Sequence, residues 1–269
     1  MEILEYSEDF GGPMEDFAFQ RTVVVYNYGG SIYRAYSRKR YAEPQDIQFS
    51  DLYGTNKIRS ALVFPEFQDS FTKAEDPGPH RSSWFLKKPS LSPYTPRYPT
   101  LIKETWIEEV KICEILKKHP HPNIAQYHGC AVMEDGTIRG IYFTRYDETL
   151  MERINPLRRS KMESTYERRG ADQDQVERWV ERIKRGIRHL HSLGIVHNDV
   201  NPANIMFYDD EPVIIDFDSS RPTGYDLSLV KRTYGWHDER VMEALPSNDL
   251  NALEEIKSWL LGDVHQFQF

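Results

Sequence analysis

Between Ile195 and Asp218 the chain reads IVHNDVNPANIMFYDDEPVIIDFD, short apolar runs interrupted by polar side chains at fixed places. Ile205-Met206-Phe207 and Val213-Ile214-Ile215 flank Tyr208-Asp209-Asp210-Glu211-Pro212, the pattern of a short antiparallel hairpin. Ahead of it, Val196 ends an apolar approach and His197-Asn198-Asp199 turns into a loop in which Pro202 fixes φ. Asp199 and Asn204 are therefore expected on one loop rim, and the hairpin returns Asp216 to the side of Asn204.

Two carboxylates and an amide oxygen gathered in this way suit phosphoryl transfer. Moving a phosphoryl group from a nucleotide to a hydroxyl needs a carboxylate that orients the hydroxyl and oxygen ligands for the Mg²⁺ that neutralises the phosphates. Mg²⁺ keeps several waters, so one carboxylate and one amide are sufficient protein ligation. The plainer alternative is a polar turn before an ordinary hairpin.

His197-x-Asp199-x4-Asn204 followed by Asp216-Phe217-Asp218 resembles the catalytic loop and metal-binding triplet of eukaryotic-type protein kinases. The resemblance implies that Asp199 is the catalytic base, that Asn204 and Asp216 hold Mg²⁺, and that His197 packs with Phe217 behind the site. Trp84-Phe85-Leu86-Lys87 resembles the strand ending in the phosphate-binding lysine. Lys87 is preferred over Lys88 because its neighbour Leu86 suits a buried strand. A helix is expected over Thr100 to Lys118, where Trp106, Val110, Cys113 and Leu116 recur at three- and four-residue steps. On it, Glu109 matches the glutamate that pairs with the strand lysine in kinases, and Glu108 is its rival. His121-Pro122-Asn123-Ile124 resembles the turn that enters the next small-lobe strand.

Asp172 to Leu193 carries Val176, Val180, Ile183, Ile187 and Leu190 on one face, an amphipathic helix capped by Asp172 and closed by Gly194. Ser247-Asn248-Asp249-Leu250 is expected to open a final helix, with Leu253, Ile256 and Leu260 on one face and a stop at Gly262. Asp249 there matches the aspartate that tethers the catalytic-loop backbone, the other reading being a simple helix cap.

The resemblance runs from Trp84 to Leu261 and implies an α+β, bilobed protein kinase-like fold, with a small β-rich N-lobe holding one main helix and a shortened, mostly helical C-lobe. The expected domains are 1–80, an N-terminal extension with a β-hairpin joining the small lobe; 81–150, the N-lobe; and 151–269, a C-lobe cut short after a helix at 248–261. In this form the chain is similar to compact kinase-like proteins that occur in fungi. It also departs from the kinase pattern. No Gly-x-Gly-x-x-Gly precedes Lys87, so backbone amides for a nucleotide's phosphates are unaccounted for. Asn198 stands for the usual arginine, Asn201 for a lysine of the transition-state clamp, and Asp218 for a glycine. Ala-Pro-Glu is absent, and Gly235-Trp236 with Asp238 is the candidate end of the activation segment. The helices that normally shield the large lobe are missing after Asp249, so apolar surface is expected to be exposed or covered by a partner.

Composition adds limits. With 39% apolar and 28% charged residues in 269, the chain is long enough for one bilobed domain or two small ones and is not disordered overall. No apolar run approaches membrane length, and the acidic start Met1-Glu2-Ile3-Leu4-Glu5 is unlike a signal peptide. A formal charge of −8 argues against nonspecific DNA binding. Cys113 and Cys130 read as buried free thiols in a reducing compartment, and their spacing with His119, His121 and His128 fits no zinc pattern. The expectation is an intracellular protein, cytoplasmic or nuclear, with a protein substrate or docking partner and neither nucleic acid nor membrane; oligomeric state is not legible. Earlier in the chain, Thr22 to Tyr36 suggests a hairpin around Tyr28-Gly29-Gly30-Ser31. Ala61-Leu62-Val63-Phe64 suggests a strand, residues 66–82, with Asp76-Pro77-Gly78-Pro79, a loop, and Arg158 to Gly170 an irregular stretch.

Three functions fit. The first is a protein kinase, dependent on ATP and Mg²⁺, that transfers the γ-phosphoryl group to a protein hydroxyl, Ser/Thr before Tyr. The second is a pseudokinase that keeps the fold and serves as a docking module. The third is a small-molecule phosphotransferase resembling aminoglycoside and choline kinases, against which His121-Pro122-Asn123-Ile124 and the helix of Asp249 count.

Overall fold

The computed structural model describes residues 1–11, 18–75, 78–167 and 172–269, without the side chains of 79–81 and 165–167. Asp76 and Pro77, and Arg168 to Gly170 of the stretch expected to be irregular, lie outside the described residues. The chain divides into two compact units, one of Met1–Ser70, Lys87–Ile107 and Cys130–Gly140, the other of Phe71–Leu86, Glu108–Gly129 and Ile141–Phe269.

In the first unit, β1 (Glu2–Gly11), β2 (Ala18–Tyr28), β3 (Ser31–Ser37) and β4 (Tyr53–Ile58) form an antiparallel meander in sequence order. Val23-Val24-Val25-Tyr26 is an unbroken apolar run because both faces of the sheet are covered. Val25 and Ile58 pack on one side with Val63, Phe64, Leu91, Tyr94 and Ile102. Val24, Tyr26 and Ala35 pack on the other with Ile47. Gly29 and Gly30, at φ 56° and 73°, make the two-residue turn between β2 and β3, in which both central residues need positive φ. The Glu5 carboxylate pins the chain after Lys87, accepting from the Leu91 N–H at 2.8 Å, the Ser92 N–H at 3.2 Å and both serine hydroxyls of Ser90 and Ser92. The strand expected over Ala61–Phe64 is instead α1, a single helical turn over Ser60–Val63. An apolar run this short does not distinguish the two, and here it covers the sheet rather than extending it.

In chain order follow β5 (Trp84–Lys87), α2 (Leu101–Lys118), β6 (Tyr127–Val132) and β7 (Ile138–Thr144), the strands forming a sheet in the order β5-β7-β6. The rest is mostly helical: α3 (Leu150–Ile154), α4 (Lys161–Glu167), α5 (Gln173–Ser192) and α6 (Pro246–Leu261). Two short ribbons sit among them, β8 (Ile195–Val196) with β11 (Arg221–Pro222), and β9 (Ile205–Tyr208) with β10 (Glu211–Ile214). This β-rich N-terminal part and helical C-terminal part make a kinase-like α+β fold. Asp172 caps α5 by accepting from the Asp174 and Gln175 amides, and its buried stripe runs from Val176 to Leu190. Gly186 in that helix meets Asn123 O, which an added Cβ would approach to 2.9 Å. Thr149 and Glu152 close a capping box on α3. Helix α6 begins at Pro246 with Leu245 as a cap lacking any side-chain bond, so Ser247 is not its opener; it stops at Gly262, left-handed at φ 75°. Cys113 and Cys130 are both buried. No described helix is long and apolar enough to cross a membrane.

Candidate functional site

Asp249 organises the loop. It is fully buried on α6, where its Oδ2 accepts from the His197 N–H at 2.9 Å and from His191 Nε2 at 2.8 Å, while Oδ1 accepts from the Asn198 N–H at 2.8 Å. Consecutive amides turned inward need such an acceptor, since each would otherwise be buried without a partner. Asn198 is left-handed at φ 64° and nearly fully buried. Its Nδ2 donates to Val196 O at 3.0 Å and to Ser219 O at 3.2 Å, so this short amide ties the loop directly to the chain after Asp218.

Past that anchor, Asp199 and Asn204 meet. Asn204 Nδ2 donates to Asp199 Oδ2 at 3.0 Å and to Asp199 O at 2.9 Å. Ile215 N–H donates to Asn204 O at 3.0 Å, which sets Asp216 next to Asn204 at the base of the β9–β10 ribbon. That ribbon closes on Asp209 and Asp210, at φ 48° and 65°. Asp216 is half-buried and left-handed at φ 64°, whereas Asp218, at the glycine position, has no positive φ. Phe217 is fully buried and packs edge-on against His197 with centroids 5.7 Å apart. His197 Nε2 donates to Ile215 O at 3.0 Å and its Nδ1 accepts from the Asp199 N–H at 3.3 Å, one tautomer serving both bonds.

Thr233 and Asn201 complete the setting, and neither function was legible from the sequence. Thr233 N–H donates to Asp199 Oδ1 at 2.7 Å and its hydroxyl to Oδ2 at 3.1 Å. Asn201 Nδ2 reaches both Asp199 O and Thr233 Oγ1 at 3.1 Å, so at the lysine position an amide holds the threonine in place. The only signal for Thr233 was a two-donor residue shortly before Gly235-Trp236. Burial pushes the Asp199 carboxyl above the ordinary aspartate range, although the Thr233 hydrogen bonds oppose the rise.

Elsewhere, Lys87 ends β5 half-buried while Lys88 is exposed. Glu109 is fully buried on α2, whereas Glu108 is 40% exposed and pairs with Lys111 at 2.7 Å. The donor chemistry fits a hard cation. Asn204 spends its Nδ2 on Asp199, which leaves its Oδ1 available as a hard acceptor. No group of three or more His, Cys, Asp or Glu among the described residues holds a metal by itself.

Residues 94–242 match the protein kinase domain family. Mitogen-activated protein kinase kinase kinase 1b of Physcomitrium patens is 28% identical over 152 residues, which is 55% of this chain and 18% of that protein. Mitogen-activated protein kinase p38a of Drosophila melanogaster is 39% identical over 70 residues, 26% of this chain and 19% of the relative. Serine/threonine-protein kinase H1 of Homo sapiens is 35% identical over 83 residues, 29% and 19% respectively. The matched stretches thus span about a fifth of the length of these curated relatives. Because the family match takes in more than half of the chain and contains the whole loop and ribbon around Asp199, Asn204 and Asp216, the chain belongs to the protein kinase domain family.

Proposed function

We propose that the chain transfers the γ-phosphoryl group of ATP to a protein hydroxyl, serine or threonine before tyrosine. The observation that carries this reading is the bond between Asp199 and Asn204 on one loop, together with the bond from the Ile215 N–H, one residue before Asp216, to Asn204 O. Asp199 accepts the hydroxyl proton as the acceptor attacks, and Asn204 with Asp216 would hold Mg²⁺, which neutralises charge on the phosphates when bound. Lys87 is assigned to the phosphates and Glu109 to orienting that lysine. Asp249, His197 and Phe217 do not touch substrate and keep the loop in shape. The serine/threonine preference draws support from the printed name of the relative serine/threonine-protein kinase H1.

Radiolabelled ATP with Mg²⁺ and a mixed protein substrate tests it. Incorporation lost in Asp199→Ala, with Mg-ATP still raising the melting temperature, is the expected result. Equal incorporation by that variant removes Asp199 from its role. Chelation of Mg²⁺ should abolish both incorporation and the thermal shift.

A docking module that binds nucleotide without transfer is the second reading. It is favoured by one feature, the engagement of both Asp199 oxygens by Thr233 while Asn201, at the lysine position, adds no positive charge beside them. Thermal stabilisation by Mg-ATP with no incorporation into any protein supports this second reading.

A further inference from the structure

Thr233 reaches Asp199 only if the chain after it turns correctly, and that turn has an external support. Trp236 N–H and His237 Nδ1 both donate to Thr233 O, at 3.3 and 2.8 Å, closing Thr233–His237 into a compact turn with Gly235 left-handed at φ 77°. Lys161, at the start of α4, donates from Nζ to Gly235 O at 2.7 Å. The same ammonium is paired with the Glu255 carboxylate on α6, whose other oxygen accepts from the Gln268 N–H at 2.7 Å. Its side chain is 18% exposed and that of Glu255 is fully buried. The rings of Trp236 and Phe267 flank the ammonium at 4.6 and 4.3 Å, and Trp236 stands edge-on to Trp259, centroids 5.7 Å apart. A buried ion pair is weak evidence of stability, because desolvation offsets the attraction. It is better suited to fixing one geometry, and here the geometry fixed is that of Gly235.

We propose that Lys161 is a positioning residue for phosphoryl transfer: by holding Gly235 O between α4 and α6, it keeps the turn that presents Thr233 to Asp199. The connected contacts are Lys161 to Gly235, the turn to Thr233, and Thr233 to Asp199. The inference rests on Asp199 acting in transfer, but its structural half can be read without any activity.

The test uses the full chain with two substitutions, Lys161→Met and Glu255→Gln together, so that no buried charge is left behind. Amide hydrogen exchange is measured residue by residue, alongside kcat and the KM for ATP. Exchange of the Thr233 N–H should accelerate about tenfold, the worth of one lost hydrogen bond. Exchange at Ile256 and Leu260 in α6 should stay as in the unaltered chain. kcat should fall about 10- to 100-fold, the scale of a remote change that misplaces a reacting group, with the KM for ATP unchanged. Lys161→Arg with Glu255 kept, which retains both the charge and a donor for Gly235 O, should leave both readings near the unaltered values. Should the double variant not fold, Lys161→Leu with Glu255→Leu supplies an apolar pair of similar bulk for the same readings. Unchanged Thr233 exchange in a folded variant, or acceleration equal throughout α6, overturns the proposal. If the unaltered chain transfers no phosphate, the transfer reading fails on its own and the exchange at Thr233 still decides the role of Lys161.

Discussion

In β2, Val23, Val24, Val25 and Tyr26 are sealed by apolar side chains on both faces, while the loop from His197 to Asn204 is shaped by polar side chains. Its fixed points are Asp249 beneath two amides, Asn198 across to Ser219 O, and the bonds among Asn201, Asn204, Thr233 and Asp199. Apolar contact is non-directional and tolerates replacement by similar volumes. A hydrogen-bonded network requires each donor to meet its own acceptor, and one lost partner leaves another stranded. The sheet therefore contributes stability that any well-packed residue could supply. The loop contributes placement that only these residue types supply.

Substitutions can break that contrast. The largest effect belongs to Asp199→Ala, which should lower transfer about 10²- to 10⁴-fold, the contribution of a positioned acid or base, with the fold retained and only a modest drop in melting temperature, because Asp199 is partly exposed and water can reach the donors that it leaves. A collapse of the fold in this variant would show that the loop is as structural as the sheet. Next, Asp249→Leu strands the His197 and Asn198 amides and should cost about 2–5 kcal/mol of stability by denaturant unfolding. A smaller cost would mean that water replaces the carboxylate. Val25→Ala opens a cavity under β2 and should cost about 2 kcal/mol; a variant of this kind that reduces transfer well beyond its unfolded fraction would blur the distinction. The smallest effect lies outside both regions. Burial holds His121 and His128 below the ordinary imidazole range, helped by the charge of His189 beside the first and of Lys117 beside the second. The unfolded chain then binds more protons, so stability should decline as pH falls through about 6.5 toward the folded values. A thermal melt series across pH 5 to 8 that stayed flat would contradict this.

How far the sequence could be read follows the same division. Helix α5 was visible because its apolar period is sustained and its cap and closing glycine are adjacent in the chain. The β9–β10 ribbon was visible because two apolar runs enclose a polar turn. Residues of the loop could be singled out by type and spacing, but Thr233 and Lys161 could not. Their partners Asp199 and Glu255 are far along the chain, and a lone threonine or lysine carries no periodic signal. The turn at Ser60–Val63 is ambiguous in the sequence because the apolar run Ala61–Phe64 suits either structure. Strand β1 carries no clear signal because acidic residues interrupt it, an edge strand that is half exposed. Helix α3 is marked in the sequence only by the capping box of Thr149 and Glu152.

The left-handed pair Asp209-Asp210 makes the turn between β9 and β10, where Glu211 pairs directly with Tyr208. A turn with positive φ at both central positions joins two twisted strands without splaying them, and few residues besides Asn, Asp and Gly accept that backbone. Divergent copies of this chain can therefore vary the tip only within that small set, however freely the exposed side chains around it change.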